Sequence, residues 1–178
     1  MTPAEQVRWT VYESPLGPLT LTGDEHALRS LFFPARGGPW HEARRDPAPF
    51  AEALRQLGEY FAGDRQHFEL ALGFEGTGFQ RRVWAELQAI PYGATCSYGE
   101  LAARIGRPDR VRAVGATVGR TPMPIIVPCH RVIGADGSLT GYGGGLQRKQ
   151  ALLDLEAAVS GGAVAPPVWA GRQLSLLA

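Results

Sequence analysis

The spacing of apolar residues changes once along this chain, at the glycine-rich segment Gly73–Gly78, and this change limits the possible folds more than any other feature. Before this segment, short stretches of alternating apolar and polar residues predict antiparallel strands. After it, apolar residues recur every three or four positions, which predicts helices. We therefore expect an α+β protein, with a small α/β domain at residues 1–78 and a mostly helical domain at residues 79–158. The expected strands are Val7–Glu13, Leu16–Thr22 and Ala27–Phe33.

One helix is expected in the first domain, because an apolar stripe runs from Phe50 to Phe61 and Gly63 follows it. The preceding segment, Pro34–Pro49, is rich in proline, glycine and arginine and predicts an irregular loop.

The second domain contains a helix-turn-helix candidate. A stripe from Phe79 to Ile90 predicts its first helix. Two short helices follow, Tyr98–Ile105 and Asp109–Gly119, with a turn of about three residues between them. Asp109 is suited to capping the second of these helices. Further on we expect a short buried strand or extended run at Ile125–Val127, and a last helix at Leu146–Ala158.

Composition indicates a globular protein outside the membrane. The chain has 178 residues, of which 44% are hydrophobic, and no stretch approaches the roughly 18 consecutive apolar residues of a membrane span. Its first residues lack the basic and then apolar layout of a signal peptide, so we expect a cytoplasmic protein. Two cysteines, Cys96 and Cys129, are too few for a disulfide framework and at least one should remain a thiol.

Charge is unevenly distributed behind the net value of +1. Residues 1–78 carry 7 basic and 11 acidic groups, whereas residues 79–156 carry 10 and 6. Within the second set, residues 104–131 contain six arginines against Asp109 alone. Such a patch suits a polyanion, although a solvated arginine-rich surface is the alternative.

The helix expected at Asp109–Gly119 has two different faces. Three valines, at positions 111, 114 and 118, form an apolar face, while Arg112, Gly115, Ala116 and Gly119 form a face with little side chain. Glycine within a helix costs about 0.5–1 kcal/mol relative to alanine, so close approach of another body is a reason to keep it. That body is either another helix or a nucleic-acid groove.

Cys129 and the following His130 form a candidate activated thiol, because the thiolate is the nucleophile and a neighbouring base favours it. The alternative is a small buried cysteine beside a core histidine. Glu156 lies beside the buried stripe of the last helix, where an ionised carboxylate needs a partner. A pairing with His130 would follow the logic of a triad, whereas a pairing with Lys149 or Arg148 would be structural. No second Cys or His pair stands at zinc-ligand spacing, so we expect no metal.

Five motifs together make residues 79–156 resemble the O6-alkylguanine-DNA alkyltransferases. They are Phe79-Gln80-Arg81-Arg82-Val83-Trp84, Ile90-Pro91-Tyr92-Gly93 with Ser97-Tyr98, Arg112-Ala113-Val114, Pro128-Cys129-His130-Arg131-Val132-Ile133, and Gly141-Tyr142 with Lys149, Leu152-Leu153 and Glu156. The first domain fits the ribonuclease-H-like variable domain of this family, and the second a helix-turn-helix of winged-helix type.

The resemblance implies a single-turnover repair reaction without a cofactor. A damaged guanine in double-stranded DNA is flipped out, and its O6-alkyl group is transferred irreversibly to Cys129. O4-alkylthymine is a further candidate substrate. His130, acting through a water, would be the base, Glu156 would orient it, and Tyr98 would donate to the purine. The resemblance assigns the pocket to Val132, Tyr142 and Gly143. It assigns DNA contacts to Arg112, which would replace the flipped base, and to Gln80, Ser97, Arg110, Gly115 and Ala116.

The chain departs from the family at the hinge before Pro122, where Thr121 replaces the usual asparagine. A hydroxyl replaces only part of the hydrogen bonding of an amide, so we expect an effect on rate. Three other classes stay open: alkyltransferase-like damage sensors, cysteine hydrolases and helix-turn-helix regulators. The reactive Cys129 argues against the first.

Residues 159–178 are predicted to form a flexible tail that ends in a short recognition peptide. Gln173-Leu174-Ser175-Leu176-Leu177 resembles the Gln-Leu-Ser/Asp-Leu-Phe/Leu peptide that binds the bacterial sliding clamp. Gln173, Leu174, Leu176 and Leu177 would make the contacts. A chance match in a leucine-rich tail is the alternative.

Overall fold

The computed structural model describes residues 7–33 and 43–161. The chain forms two compact units that divide between Phe74 and Glu75. No helix in the described part is long and apolar enough to cross a membrane. Residues 34–42 of the expected loop and residues 162–178, with the whole Gln173–Leu177 peptide, lie outside the described residues.

The N-terminal unit contains a four-stranded sheet in the order β3-β2-β1-β4. The first three strands are antiparallel neighbours, as predicted, and β4 pairs with β1 in parallel. Leucines at positions 19, 21 and 31 are fully buried beneath the sheet. The strands are β1 (Arg8–Ser14), β2 (Gly17–Gly23), β3 (Leu28–Phe32) and β4 (Arg44–Arg45).

The predicted helix of this unit is α1, Ala51–Ala62, which a short 3-10 turn precedes. Leu57 and Tyr60 on its inner face are fully buried. Gly63 ends the helix in the left-handed region with φ of 83°, a conformation that costs glycine little, and its N–H bonds the carbonyls of the last turn.

The part of the second unit that the structure describes, residues 75–161, contains four helices, in agreement with the expected mostly helical domain. They are α2 (Gly78–Gln88), α3 (Tyr98–Arg104), α4 (Val111–Val118) and α5 (Leu146–Val159). Thr77 and Ser97 cap α2 and α3 with reciprocal capping boxes. The core contains Val83, Leu87, Leu101, Val114 and Leu152, all fully buried.

A short parallel pair of strands brings distant parts of this unit together. Strand β5 (Cys96–Ser97) lies beside β6 (Val132–Ile133), with Cys96 opposite Val132. The start of α3 is therefore held next to the segment that follows Cys129. Nothing in the two-residue strands predicts this pairing, because a strand this short has no periodicity.

The helix-turn-helix differs from the prediction in three details. The connection between α3 and α4 runs from Ile105 to Arg110, because Pro108–Arg110 forms a separate 3-10 turn. Asp109 caps neither helix, since its carboxylate accepts hydrogen bonds from Arg107 and Arg110 instead. Val111 is 39% exposed at the start of α4, so the buried face consists of Val114, Thr117 and Val118.

The expected strand at Ile125–Val127 is a turn. The Val127 N–H donates to the Met123 carbonyl at 2.8 Å, and Ile125 has φ of 78°. A β-branched residue rarely adopts this conformation, so the surrounding packing must hold it there. All three residues are buried, which the apolar run does predict.

Candidate active site

Cys129 begins a 3-10 turn, Cys129–Arg131, immediately after the strained Ile125 segment. Its N–H donates to the Val127 carbonyl at 2.7 Å, which fixes the direction of the side chain. The residue is 5% exposed and forms no disulfide. The turn therefore presents a single free thiol from a rigid, buried backbone.

The buried carboxylate of Glu156 joins the two residues that follow Cys129. Its Oε1 lies 2.7 Å from His130 Nε2, and Arg131 donates to both carboxylate oxygens from Nε and Nη2 at 2.8 and 2.9 Å. Arg131 also donates to the Ile90 carbonyl. Of the two pairings that the sequence left open, the structure shows the one with His130, while Lys149 and Arg148 donate to carbonyl oxygens.

Charges within this cluster favour a neutral imidazole. Burial opposes ionisation of Glu156, but the hydrogen bonds and charges of His130 and Arg131 lower its pKa to about 2. Burial lowers the pKa of His130, and Arg131 acts in the same direction. Because Arg131 already compensates Glu156, His130 need not carry a positive charge.

The neutral tautomer leaves a base on the free side of the ring. With its proton on Nε2 facing Glu156, His130 carries a lone pair on Nδ1. Within the described residues, Nδ1 is buried and has no hydrogen-bond partner. The imidazole is thus oriented by Glu156 and available to accept a proton at Nδ1.

The thiol requires such a base. Burial raises the pKa of Cys129 to about 11, while the nearby Thr121 side chain and the charge of Lys149 oppose that shift. Thr121 also donates its hydroxyl to the Val118 carbonyl at 2.7 Å. The residue predicted to be the hinge is therefore tied to the last turn of α4.

Tyr98 and Thr140 face each other beside Lys149. The Tyr98 hydroxyl donates to the Thr140 carbonyl at 3.2 Å, and Lys149 Nζ donates to the same oxygen at 2.8 Å. Lys149 is fully buried and also donates to the Val132 carbonyl. One ammonium group therefore connects β6 with the loop that carries Thr140.

The three predicted pocket residues occupy β6 and the loop before α5. Val132 is fully buried, whereas Gly143 is exposed. Burial raises the pKa of Tyr142 well above its ordinary value, so its hydroxyl stays protonated. The Gly145 N–H closes a turn onto the Tyr142 carbonyl at 2.9 Å.

The predicted DNA contacts lie on α4, on the 3-10 turn before it and at the starts of α2 and α3. Arg110, Arg112 and Ala116 are exposed, while a methyl group added at Gly115 would approach the Tyr98 ring to 3.7 Å. Gln80 and Ser97 serve their own helices, since both take part in capping boxes.

The basic patch is smaller than the sequence suggests, because Arg131 is 6% exposed and paired with Glu156. Arg107 is half-buried and donates to Asp109. The arginines of this segment that are exposed are Arg104, Arg110, Arg112 and Arg120.

Sequence reasoning missed the roles of Arg131, Lys149 and Thr140. Charged residues within apolar runs were the available signal for the first two, because a buried charge requires a partner. No local signal marks Thr140. Among the described residues, no group of three His, Cys, Asp or Glu side chains is placed to hold a metal ion.

Comparison with known proteins places both units in one family. Residues 7–74 match the 6-O-methylguanine DNA methyltransferase ribonuclease-like domain, and residues 78–158 match the DNA binding domain of the same family. The chain therefore belongs to the 6-O-methylguanine DNA methyltransferase family.

Individual relatives agree. The methylated-DNA–protein-cysteine methyltransferase of Mycolicibacterium paratuberculosis is 52% identical over 156 residues, which cover 84% of this chain and 92% of the relative. The constitutive enzyme of Bacillus subtilis is 43% identical, covering 83% and 94%. A crystal structure of Mycobacterium tuberculosis OGT in complex with DNA is 49% identical, covers 85% of this chain and 94% of the other, and has a TM-score of 0.82.

Proposed function

We propose that this protein repairs DNA by direct reversal, transferring the O6-alkyl group of guanine in duplex DNA to its own cysteine, Cys129. The arrangement of Cys129, His130 and Glu156 is the observation that carries this proposal, since it provides a nucleophile, a neutral base and the group that orients the base. Membership of the methyltransferase family supplies the substrate class.

The thiol is activated by proton transfer. The Cys129 proton passes, through a bridging water, to His130 Nδ1, while Glu156 and Arg131 keep the ring in place. The thiolate sulfur then forms a bond to the alkyl carbon as the bond from that carbon to O6 breaks. The electron pair of the broken bond remains on the guanine, and a proton from Tyr98 neutralises it.

Binding groups hold the base in position for this in-line displacement. Carbonyls of Cys129 and Val132 accept from the exocyclic amine, and backbone N–H groups of the Tyr142–Gly145 loop donate to O6. Arg112 enters the base stack from α4, with Ala116 and Gly115 leaving room for the groove. The product is a thioether without a good leaving group, so each molecule acts once.

Mass spectrometry of the protein after incubation with O6-methylguanine DNA tests the reaction. Transfer predicts a stable gain of about 14 Da, the mass of CH₂, on the peptide that contains Cys129. Unmodified protein with converted DNA would indicate a turnover enzyme, and binding without conversion would indicate a sensor or regulator.

Two cysteine variants provide matched controls. Cys129→Ser should lose transfer and keep duplex binding, because a hydroxyl is a much weaker nucleophile of similar size. Cys96→Ala should keep transfer, since Cys96 is buried within β5 and burial raises its pKa. Transfer by the serine variant at a tenth of the parent rate would remove Cys129 as acceptor.

Two free thiols in the described residues support action in a reducing compartment, and we propose the cytoplasm, on nucleoid DNA.

A second proposed interaction is with the bacterial sliding clamp, through the peptide Gln173–Leu177. The five-residue match is the observation that favours it. The intact protein should bind the clamp with a Kd in the micromolar range, around −8 kcal/mol. Changing Gln173 and Leu176 to alanine should remove this binding without changing alkyl transfer on short oligonucleotides. Binding that survives the double change would remove the peptide from the interaction.

A further inference from the structure

Thr140 makes two different hydrogen bonds with the same tyrosine. Its carbonyl oxygen accepts from the Tyr98 hydroxyl at 3.2 Å, and its own hydroxyl, Oγ1, donates to Tyr98 Oη at 3.4 Å. Both oxygen–oxygen distances are long for hydrogen bonds, so Tyr98 can readily exchange these two bonds for a hydrogen bond to a substrate. Thr140 is exposed and Tyr98 is half-buried at the start of α3.

Lys149 lets Tyr98 leave its bond to the Thr140 carbonyl at little cost. That carbonyl also accepts from Lys149 Nζ at 2.8 Å, and this bond does not depend on Tyr98. When the Tyr98 O–H turns toward a substrate, the carbonyl remains hydrogen-bonded. In the hydrogen bond from Thr140 Oγ1 the Tyr98 oxygen is the acceptor, so this bond can persist when the Tyr98 O–H turns toward another partner.

We propose that Thr140 is a positioning residue that acts through Tyr98, with its hydroxyl donating to the Tyr98 oxygen as that oxygen gives up its proton to the leaving guanine. The inference rests on the proposed role of Tyr98. As the sulfur–carbon bond forms and the carbon–O6 bond breaks, the Tyr98 proton moves to a ring nitrogen of guanine. The Tyr98 phenolate that remains accepts a hydrogen bond from Thr140 Oγ1. The nearby Lys149 ammonium stabilises its negative charge further, and the phenolate later takes a proton from water.

Thr140→Val tests the hydroxyl alone. Valine keeps the branched shape and the backbone carbonyl, so the bonds from Tyr98 and Lys149 to that carbonyl are retained. We expect the single-turnover rate constant for O6-methylguanine DNA to fall about tenfold to a hundredfold, the usual effect of losing one hydrogen bond to a charged group. Thr140→Ser should restore the rate, and the affinity for the duplex should not change.

Introducing Thr140→Val into the Tyr98→Phe variant distinguishes a role that acts through the Tyr98 oxygen from a purely structural role. If Thr140 acts through the Tyr98 oxygen, Thr140→Val should change the rate less than twofold once that oxygen is absent. Alkylation of Cys129 by iodoacetamide, which requires no proton on a leaving purine, should be unaffected by Thr140→Val. Ser138→Ala is the matched control, because this hydroxyl in the same loop bonds Asp136.

Three results would overturn the proposal. The first is that Thr140→Val slows transfer equally in the parent protein and in Tyr98→Phe. The second is that Thr140→Ser does not restore the rate. The third is that Thr140→Val transfers at the parent rate although Tyr98→Phe is slow. A normal rate for Tyr98→Phe would remove both residues from proton transfer. Methylation of Cys129 would still be seen in that case, so the alkyl-transfer function is tested separately.

Discussion

At the scale of single residues, the site depends on how two buried charges are compensated. Glu156 is 1% exposed and receives hydrogen bonds from His130 and from two nitrogens of Arg131. A carboxylate with only a histidine partner would favour the imidazolium, which has no lone pair to accept a proton. Arg131 therefore keeps His130 neutral, with a lone pair that can accept a proton, even though it contacts no reacting atom.

Replacing Arg131 with methionine should raise the pKa of His130, because the buried Glu156 carboxylate would lose the positive charge of Arg131 and would favour a proton on the imidazole. The variant should lose about 3–5 kcal/mol of unfolding free energy, the cost of leaving a buried charge without its partner. NMR titration of the His130 ring measures the first effect and urea denaturation the second.

Arg131→Lys is the matched control, since it keeps the positive charge but not the two-pronged geometry. The pKa of His130 in Arg131→Lys should lie closer to the parent value than it does in the methionine variant. An unchanged His130 pKa in the methionine variant would contradict the compensation argument.

At the scale of elements, α4 combines a buried face with a face that carries little side chain. Val114 and Val118 pack into the unit, while Ala116 and Gly119 are exposed on the other side. Arg112 stands on the exposed side with Ala116, one turn away. This arrangement suits a helix that carries one long side chain into a narrow groove.

Arg112→Ala should slow repair of duplex DNA by tenfold or more while changing the reaction with free O6-benzylguanine by less than twofold, because a free base needs no extrusion from a stack. Single-turnover kinetics on both substrates measure the difference. Equal losses would mean that Arg112 supports the pocket or the fold instead.

At the scale of the whole molecule, charge is separated along the chain, with an acidic first half and a basic second half. Because four exposed arginines lie on one part of the second unit, we expect binding to duplex DNA to weaken about a hundredfold between 50 and 200 mM salt. Fluorescence anisotropy across that range measures the slope. A flat response would exclude this patch as the DNA-binding surface.

Stability should fall in acid. The lowered pKa of Glu156, about 2, means that its contribution is complete above the unfolded value of 4.5 and is lost as the pH falls from 4.5 toward 2. The lowered pKa of His130 acts in the same direction, because below its ordinary value of 6.5 the unfolded chain binds a proton that the folded chain does not.

Urea denaturation from pH 7 to pH 3 should therefore show a steady loss of unfolding free energy, of which Glu156 accounts for about 2 kcal/mol. Glu156→Gln should be less stable than the parent at pH 7 and depend less on pH. Parallel curves for the two proteins would assign the acid sensitivity to other groups.

Local patterns determined much of this protein. Strands β1 to β3, α1, α2, α5 and the helix-turn-helix follow from apolar spacing and from the residues that end each element, because these depend on neighbours within a few positions. The motif around Cys129 identified the family on chemistry that is adjacent in sequence.

Only the tertiary structure decided which distant groups become partners. Glu156 lies 25 or more positions from His130 and Arg131, and Tyr98 lies 42 from Thr140, so no periodicity connects them. The Ile125 turn, the burial of Arg131 and the exposure of Val111 likewise result from packing. A buried charge takes whichever partner the fold brings within hydrogen-bonding distance, because leaving it without one costs more than any local preference supplies.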